Sequence, residues 1–153
     1  MCKCDRMFTG FRWQNLTILS KRDFPSKAKG VYVIRISKRG EPIEQIIFRA
    51  YEFIGKINWS AFEKFVLNRI HRLEEIRDCP VIYIGAAPTS LQSRYDDLCG
   101  KRHTALYAVL ALLFADWKLD FGWLEDDNPR EKEKRLKQQY YSIHGKLPAL
   151  VKR

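Results

Sequence analysis

The chain has no uninterrupted apolar run long enough for a bilayer. Its most apolar stretch, Ala105 to Ala115, is about eleven residues against the roughly twenty a spanning helix needs. The first residues carry charges where a secretory leader has its apolar segment, which points to a cytoplasmic protein. Four cysteines, at 2, 4, 79 and 99, show neither Cys-x-x-Cys spacing nor the density of a disulfide scaffold. They read as free thiols, and Cys2 with Cys4 supplies two metal ligands where a zinc site needs four. No repeat, low-complexity tract or Pro/Gly/Ser linker divides the 153 residues. Acidic residues are also short, 18 against 28 Lys and Arg.

What is present fits one folded unit. An apolar fraction of 46% with 13% aromatics is enough for a core at this length, and the expectation is one domain over residues 1–153. The net charge of +10 sits at the two ends: residues 1–40 carry +8, residues 41–128 carry −4 and residues 129–153 carry +6. If the ends adjoin in the fold, their combined field attracts a polyanion and makes its binding salt-dependent.

Gly30 to Ser37, rich in β-branched and aromatic residues and closed by Lys38-Arg39-Gly40-Glu41-Pro42, reads as a strand and turn. Val81 to Ala86, bounded by Pro80 and Pro88, is a second strand, and Leu119 to Leu124 a third. Helices are expected over Ser90 to Leu98 with Ser90 as N-cap, over His103 to Phe114, and from Pro129 to His144 with Gly145 as C-cap. On the last, Leu136, Tyr140 and Ile143 fall at core-facing spacing. The segment from about 41 to 78 separates the first two strands; its second half, Trp59 to Arg77, has helical periodicity, and Ile46 to Phe48 suggests a short strand. The expected fold is therefore α+β, a small three-stranded antiparallel sheet flanked by helices, with a helical insertion at about 41–78.

Gly30-Val31-Tyr32 and Tyr83-Ile84-Gly85, then Arg94 in Ser90-Leu91-Gln92-Ser93-Arg94-Tyr95, then Glu133-Lys134-Arg135-Leu136 and Gly145-Lys146-Leu147-Pro148, together resemble the GIY-YIG nuclease superfamily over about two-thirds of the chain. The resemblance implies a metal-dependent endonuclease acting on DNA, with RNA also compatible. Tyr32 would activate the nucleophile, Tyr83 would orient the same water or phosphate, Arg94 would bind phosphate, and Glu133 would hold a single Mg²⁺ or Mn²⁺. Each residue type suits its task. A phenol is a usable base only beside a cation that lowers its pKa from near 10. A guanidinium grips phosphate bidentately, and Mg²⁺ accepts one carboxylate with water and phosphate oxygens as its other ligands.

Each residue also has a plainer reading: strand tyrosines, a solvated helix arginine, and an i,i+4 pair between Glu133 and Lys137. Glu131 competes with Glu133, but the spacing to Leu136 and Gly145 favours Glu133. His103 is a candidate accessory base or phosphate ligand, or else a surface residue. Lys101, Arg102, Arg135 and Lys146 are candidate backbone-gripping cations. Trp117 and Trp123 read as core. Ala86 stands where many relatives have lysine and Val151 where many have asparagine, which raises a second reading: a catalytically silent nucleic-acid-binding module on the same scaffold. No separate recognition domain is visible, so specificity would come from DNA structure, from the insertion, or from a protein partner or second copy.

Overall fold

The computed structural model describes residues 2–16, 26–52, 66–75, 77–99 and 106–151. Strands β1 (Arg12–Asn15), β2 (Gly30–Lys38), β3 (Val81–Ala87) and β4 (Lys118–Glu125) form one antiparallel sheet in the order β1-β4-β2-β3. The sheet therefore has four strands, not the three expected. The missed strand, Arg-Trp-Gln-Asn, is short and has no β-branched residue, so nothing local marks it. It is held from outside: Trp13 lies opposite Gly122 on β4, and its ring rests on that glycine, where a Cβ would come within 2.6 Å. The Arg35 guanidinium covers the same ring at 3.6 Å from its centroid.

Helices α1 (Ile43–Ala50), α2 (Asn68–His71), α3 (Leu91–Cys99), α4 (Leu106–Phe114) and α5 (Pro129–His144) complete the architecture. The strand suggested around Ile46 to Phe48 is instead part of α1. Pro42 at its N-cap opens the helix, and Ile43, Ile46 and Ile47 turn one stripe to the core. Of the helix expected over Trp59 to Arg77, α2 and a 3₁₀ turn at Arg72–Glu74 are described, and 53–65 lies outside the described residues.

Both faces of the sheet are covered, which is why β2 is buried along its first five residues. On one face Tyr32, Ile34 and Phe121 pack against Ile46 of α1, Ile70 of α2, Leu91 and Tyr95 of α3, and Leu112 of α4. On the other, Val31, Val33 and Ile84 meet Leu136 and Tyr140 of α5 and Phe8 and Phe11 of the N-terminal segment. Pro129 opens α5 and Gly145 closes it at φ 72°, with its N–H on the Tyr141 carbonyl at 2.7 Å. Ser90 caps α3 through the Ser93 N–H at 2.9 Å. Ile143 departs from expectation: at 38% exposure it faces outward, and His144, four residues after Tyr140, lies against that ring instead, tilted, at 4.4 Å between centroids. Trp117 and Trp123 are core residues. Among the described residues no helix is long and apolar enough to cross a membrane.

Candidate functional site

Antiparallel pairing of β2 with β3 sets Tyr32 opposite Gly85 and Ile34 opposite Tyr83, so both tyrosines project from one face of the sheet. Their rings stack at 5.8 Å, and Phe121 stacks on the far side of Tyr32 at 5.3 Å. A Cβ on Gly85 would approach Tyr32 Cζ to 2.5 Å and Oη to 2.6 Å. The glycine of Tyr-Ile-Gly is thus the floor on which the first tyrosine lies.

The two phenols differ. Tyr32 is 1% exposed, and its hydroxyl hydrogen-bonds that of Tyr83. Burial first, and then the neighbouring Tyr83, push Tyr32 well above the usual tyrosine value. Tyr83 is more open. Its pKa is raised by burial and by the Glu133 charge, and pulled back by the bond from Tyr32 and by the charges of Arg69 and Arg94.

Two expected partners act on the pair through their charge: Arg94 from α3 and Glu133 from α5 both bear electrostatically on Tyr32 and Tyr83. Arg94 is partly exposed and lies 3.9 Å from Asp97, a loose contact that leaves the guanidinium available. Glu133 makes the i,i+4 pair with Lys137 at 2.8 Å, both side chains 26% exposed. The pair uses Glu133 Oε1. A carboxylate has lone pairs for more than one partner, so this group still suits an ion that takes one carboxylate and keeps water. Glu131 instead pairs with Arg135 at 3.5 Å on an exposed face, away from the tyrosines.

Other expected residues fall elsewhere. His103, Lys101 and Arg102 lie outside the described residues. Arg135 follows Glu133 by two positions, about 200° around the helix, and so points away from the phenols. It lines a shallow groove with Met7, Gln138 and Ile143. Lys146 pairs with Glu75 at 3.6 Å, at the end of the insertion. Ala86 pairs with Val31 on the opposite face of the sheet from the tyrosines, and Val151 is buried, with its carbonyl accepting from Arg72 at 3.0 Å. The described parts of the two basic ends do adjoin, because the N-terminal segment packs on α5.

Two features escaped sequence reasoning. Arg69 of α2, in the insertion, is 4% exposed and acts on Tyr83; desolvation lowers its own pKa. Buried arginine is rare enough to draw attention, but nothing in the sequence places residue 69 beside residue 83. The second is a group of donors that could hold a metal ion: Cys2, Cys4, Cys79 and His144, with ligand atoms all within 4.8 Å of one another. Two of the four were visible as Cys-x-Cys; the other two arrive through the fold, 75 and 140 residues further on.

No family model matches the chain, and no curated protein or solved structure matches it.

Proposed function

We propose that the chain is a divergent GIY-YIG-type endonuclease that hydrolyses DNA phosphodiester bonds with a tyrosine, arginine and glutamate site. The observation that carries this reading is the stacked pair of Tyr32 and Tyr83 on one sheet face, with Arg94 of α3 and Glu133 of α5 both bearing on it electrostatically. The motif order alone does not require them to meet.

The roles of the two tyrosines are exchanged relative to the sequence expectation. Tyr32, buried against Gly85 and stacked on its neighbour, holds Tyr83 in place; Tyr83, more open and subject to the charges of Arg69 and Arg94, takes the proton from the attacking water in its phenolate form, a small fraction near neutral pH because burial outweighs those charges and its net shift is upward. Arg94 binds the phosphate oxygens as charge builds on them. Glu133 is the ligand for a single Mg²⁺ or Mn²⁺, which when bound would supply Lewis-acid stabilisation of the leaving oxygen. The basic N-terminal segment and α5, packed side by side, suit a nucleic-acid backbone.

A silent binding module is the second reading, favoured by Ala86 and Val151. Calorimetric titration of the protein with Mn²⁺ separates the two. The nuclease reading expects one site that disappears in Glu133→Ala; metal binding that is absent, or indifferent to that carboxylate, favours the module.

A further inference from the structure

We infer that Cys2, Cys4, Cys79 and His144 bind one Zn²⁺ as a closed structural site, tying the N-terminal segment to the entry of β3 and the end of α5. The inference is independent of the nuclease reading.

The spacing is that of one tetrahedral ion. Cys2 Sγ lies 3.3 Å from Cys4 Sγ and 3.5 Å from His144 Nε2, and Cys4 Sγ lies 3.4 Å from Cys79 Sγ. With Zn–S of about 2.3 Å and Zn–N of about 2.0–2.1 Å, tetrahedral geometry asks for roughly 3.8 Å between sulfurs and roughly 3.5 Å between sulfur and nitrogen. The sulfur–nitrogen distance already fits, and the sulfurs need to open by a few tenths of an ångström.

Donor chemistry selects the ion. Three thiolates and an imidazole are soft to borderline ligands suited to Zn²⁺, whereas Mg²⁺ and Mn²⁺ prefer the oxygen ligands that Glu133 offers. Four protein ligands leave no open position, which marks a structural rather than a catalytic site. Cys4 and Cys79 are buried, and Cys2 and His144 half-buried.

The surroundings hold the ligands as metal sites do. The Val81 N–H donates to Cys79 sulfur and the Cys4 N–H to Cys2 sulfur, which orients both ligands, while the Tyr140 hydroxyl beside them donates to the Val81 carbonyl at 3.4 Å. Three clustered thiols offer one another little as weak S–H donors. Zn²⁺ replaces their remaining protons, which leave to solvent.

The test is zinc content and thermal stability of the full chain, purified with zinc present and no chelator. We expect one zinc per chain, an intense thiolate-to-metal absorption on cobalt substitution, and a Tm that falls on chelation and recovers with added zinc. His71→Ala, an exposed histidine outside the cluster, keeps the metal; Cys79→Ser and His144→Ala lose it. Since Cys79 is buried and its variant can fail to fold, Cys2→Ser is the second test, with unchanged circular dichroism and a zinc affinity at least about tenfold lower. Substoichiometric zinc with no cobalt spectrum, a Cys4–Cys79 disulfide in the purified protein, or full zinc retention in Cys2→Ser and His144→Ala would each overturn the assignment.

Discussion

Tyr32 lies directly opposite Gly85 across the β2–β3 pair, its phenol against the glycine Cα where any side chain would stand. Gly85→Ala must push that ring, and with it the Tyr83 ring, out of place, because its methyl would approach Tyr32 Cζ to 2.5 Å and Tyr83 Cε1 to 2.8 Å. Overpacking of this kind costs about 1–3 kcal/mol. For a chain of this length that is a fall in Tm of about 2–12 °C, read by calorimetry. An unchanged Tm would mean that Tyr32 does not rest there.

The two tyrosines are predicted to separate kinetically. Tyr83→Phe removes the proton acceptor and lowers kcat by about 10²-fold or more; Tyr32→Phe removes a positioning hydrogen bond and costs less. Both phenols have raised pKa values, so across pH 6 to 9 the phenolate fraction grows with each unit. We expect log kcat/KM to climb by about one per pH unit over that range without a plateau. The same shift bears on stability. A folded-state value above the unfolded value near 10 leaves stability untouched below about pH 10 and lowers it as pH rises further. Alkaline unfolding of wild type should therefore begin at lower pH than that of Tyr32→Phe.

Lys137 holds Glu133 Oε1 at 2.8 Å, so on the proposed reading it competes with the divalent ion for that carboxylate. Removing it in Lys137→Ala breaks a partly exposed pair, with a stability cost below about 1 kcal/mol, and frees the carboxylate. The Mg²⁺ concentration for half-maximal cleavage should fall several-fold. An increase would place the metal elsewhere.

Arg69 connects the insertion to the site. Arg69→Met keeps the length and packing of the side chain but removes the charge that helps hold Tyr83 down. We predict a loss of rate of about tenfold at pH 7, partly recovered at higher pH, with circular dichroism unchanged. A loss that no pH recovers would assign Arg69 a purely structural role.

Local signals revealed much of the frame. Gly30 to Ser37 and Val81 to Ala86 announce themselves by β-branched residues between breakers, and α5 by Pro129 and Gly145 at its ends. What was illegible depends on tertiary contact. Arg12 to Asn15 is a strand because Trp13 finds Gly122 more than a hundred residues away. Ile46 to Phe48 suggests a strand by its local pattern, and it is helical because α1 packs its isoleucine stripe on the core. The motifs single out Tyr32, Tyr83, Arg94 and Glu133 as candidates, but not which phenol is buried, nor that the Arg69 charge bears on Tyr83. Nothing local marks His144, since only the fold brings it to the three cysteines.

The most direct measurement is cleavage of supercoiled plasmid and of branched and single-stranded oligonucleotides with Mg²⁺ or Mn²⁺, with DNA binding followed in parallel, for wild type, Tyr83→Phe and Glu133→Gln. The account predicts metal-dependent cleavage by wild type that both substitutions abolish or nearly abolish while binding persists. Salt-sensitive binding by all three proteins with no cleavage of any substrate would contradict it and leave a nucleic-acid-binding module in place of the nuclease.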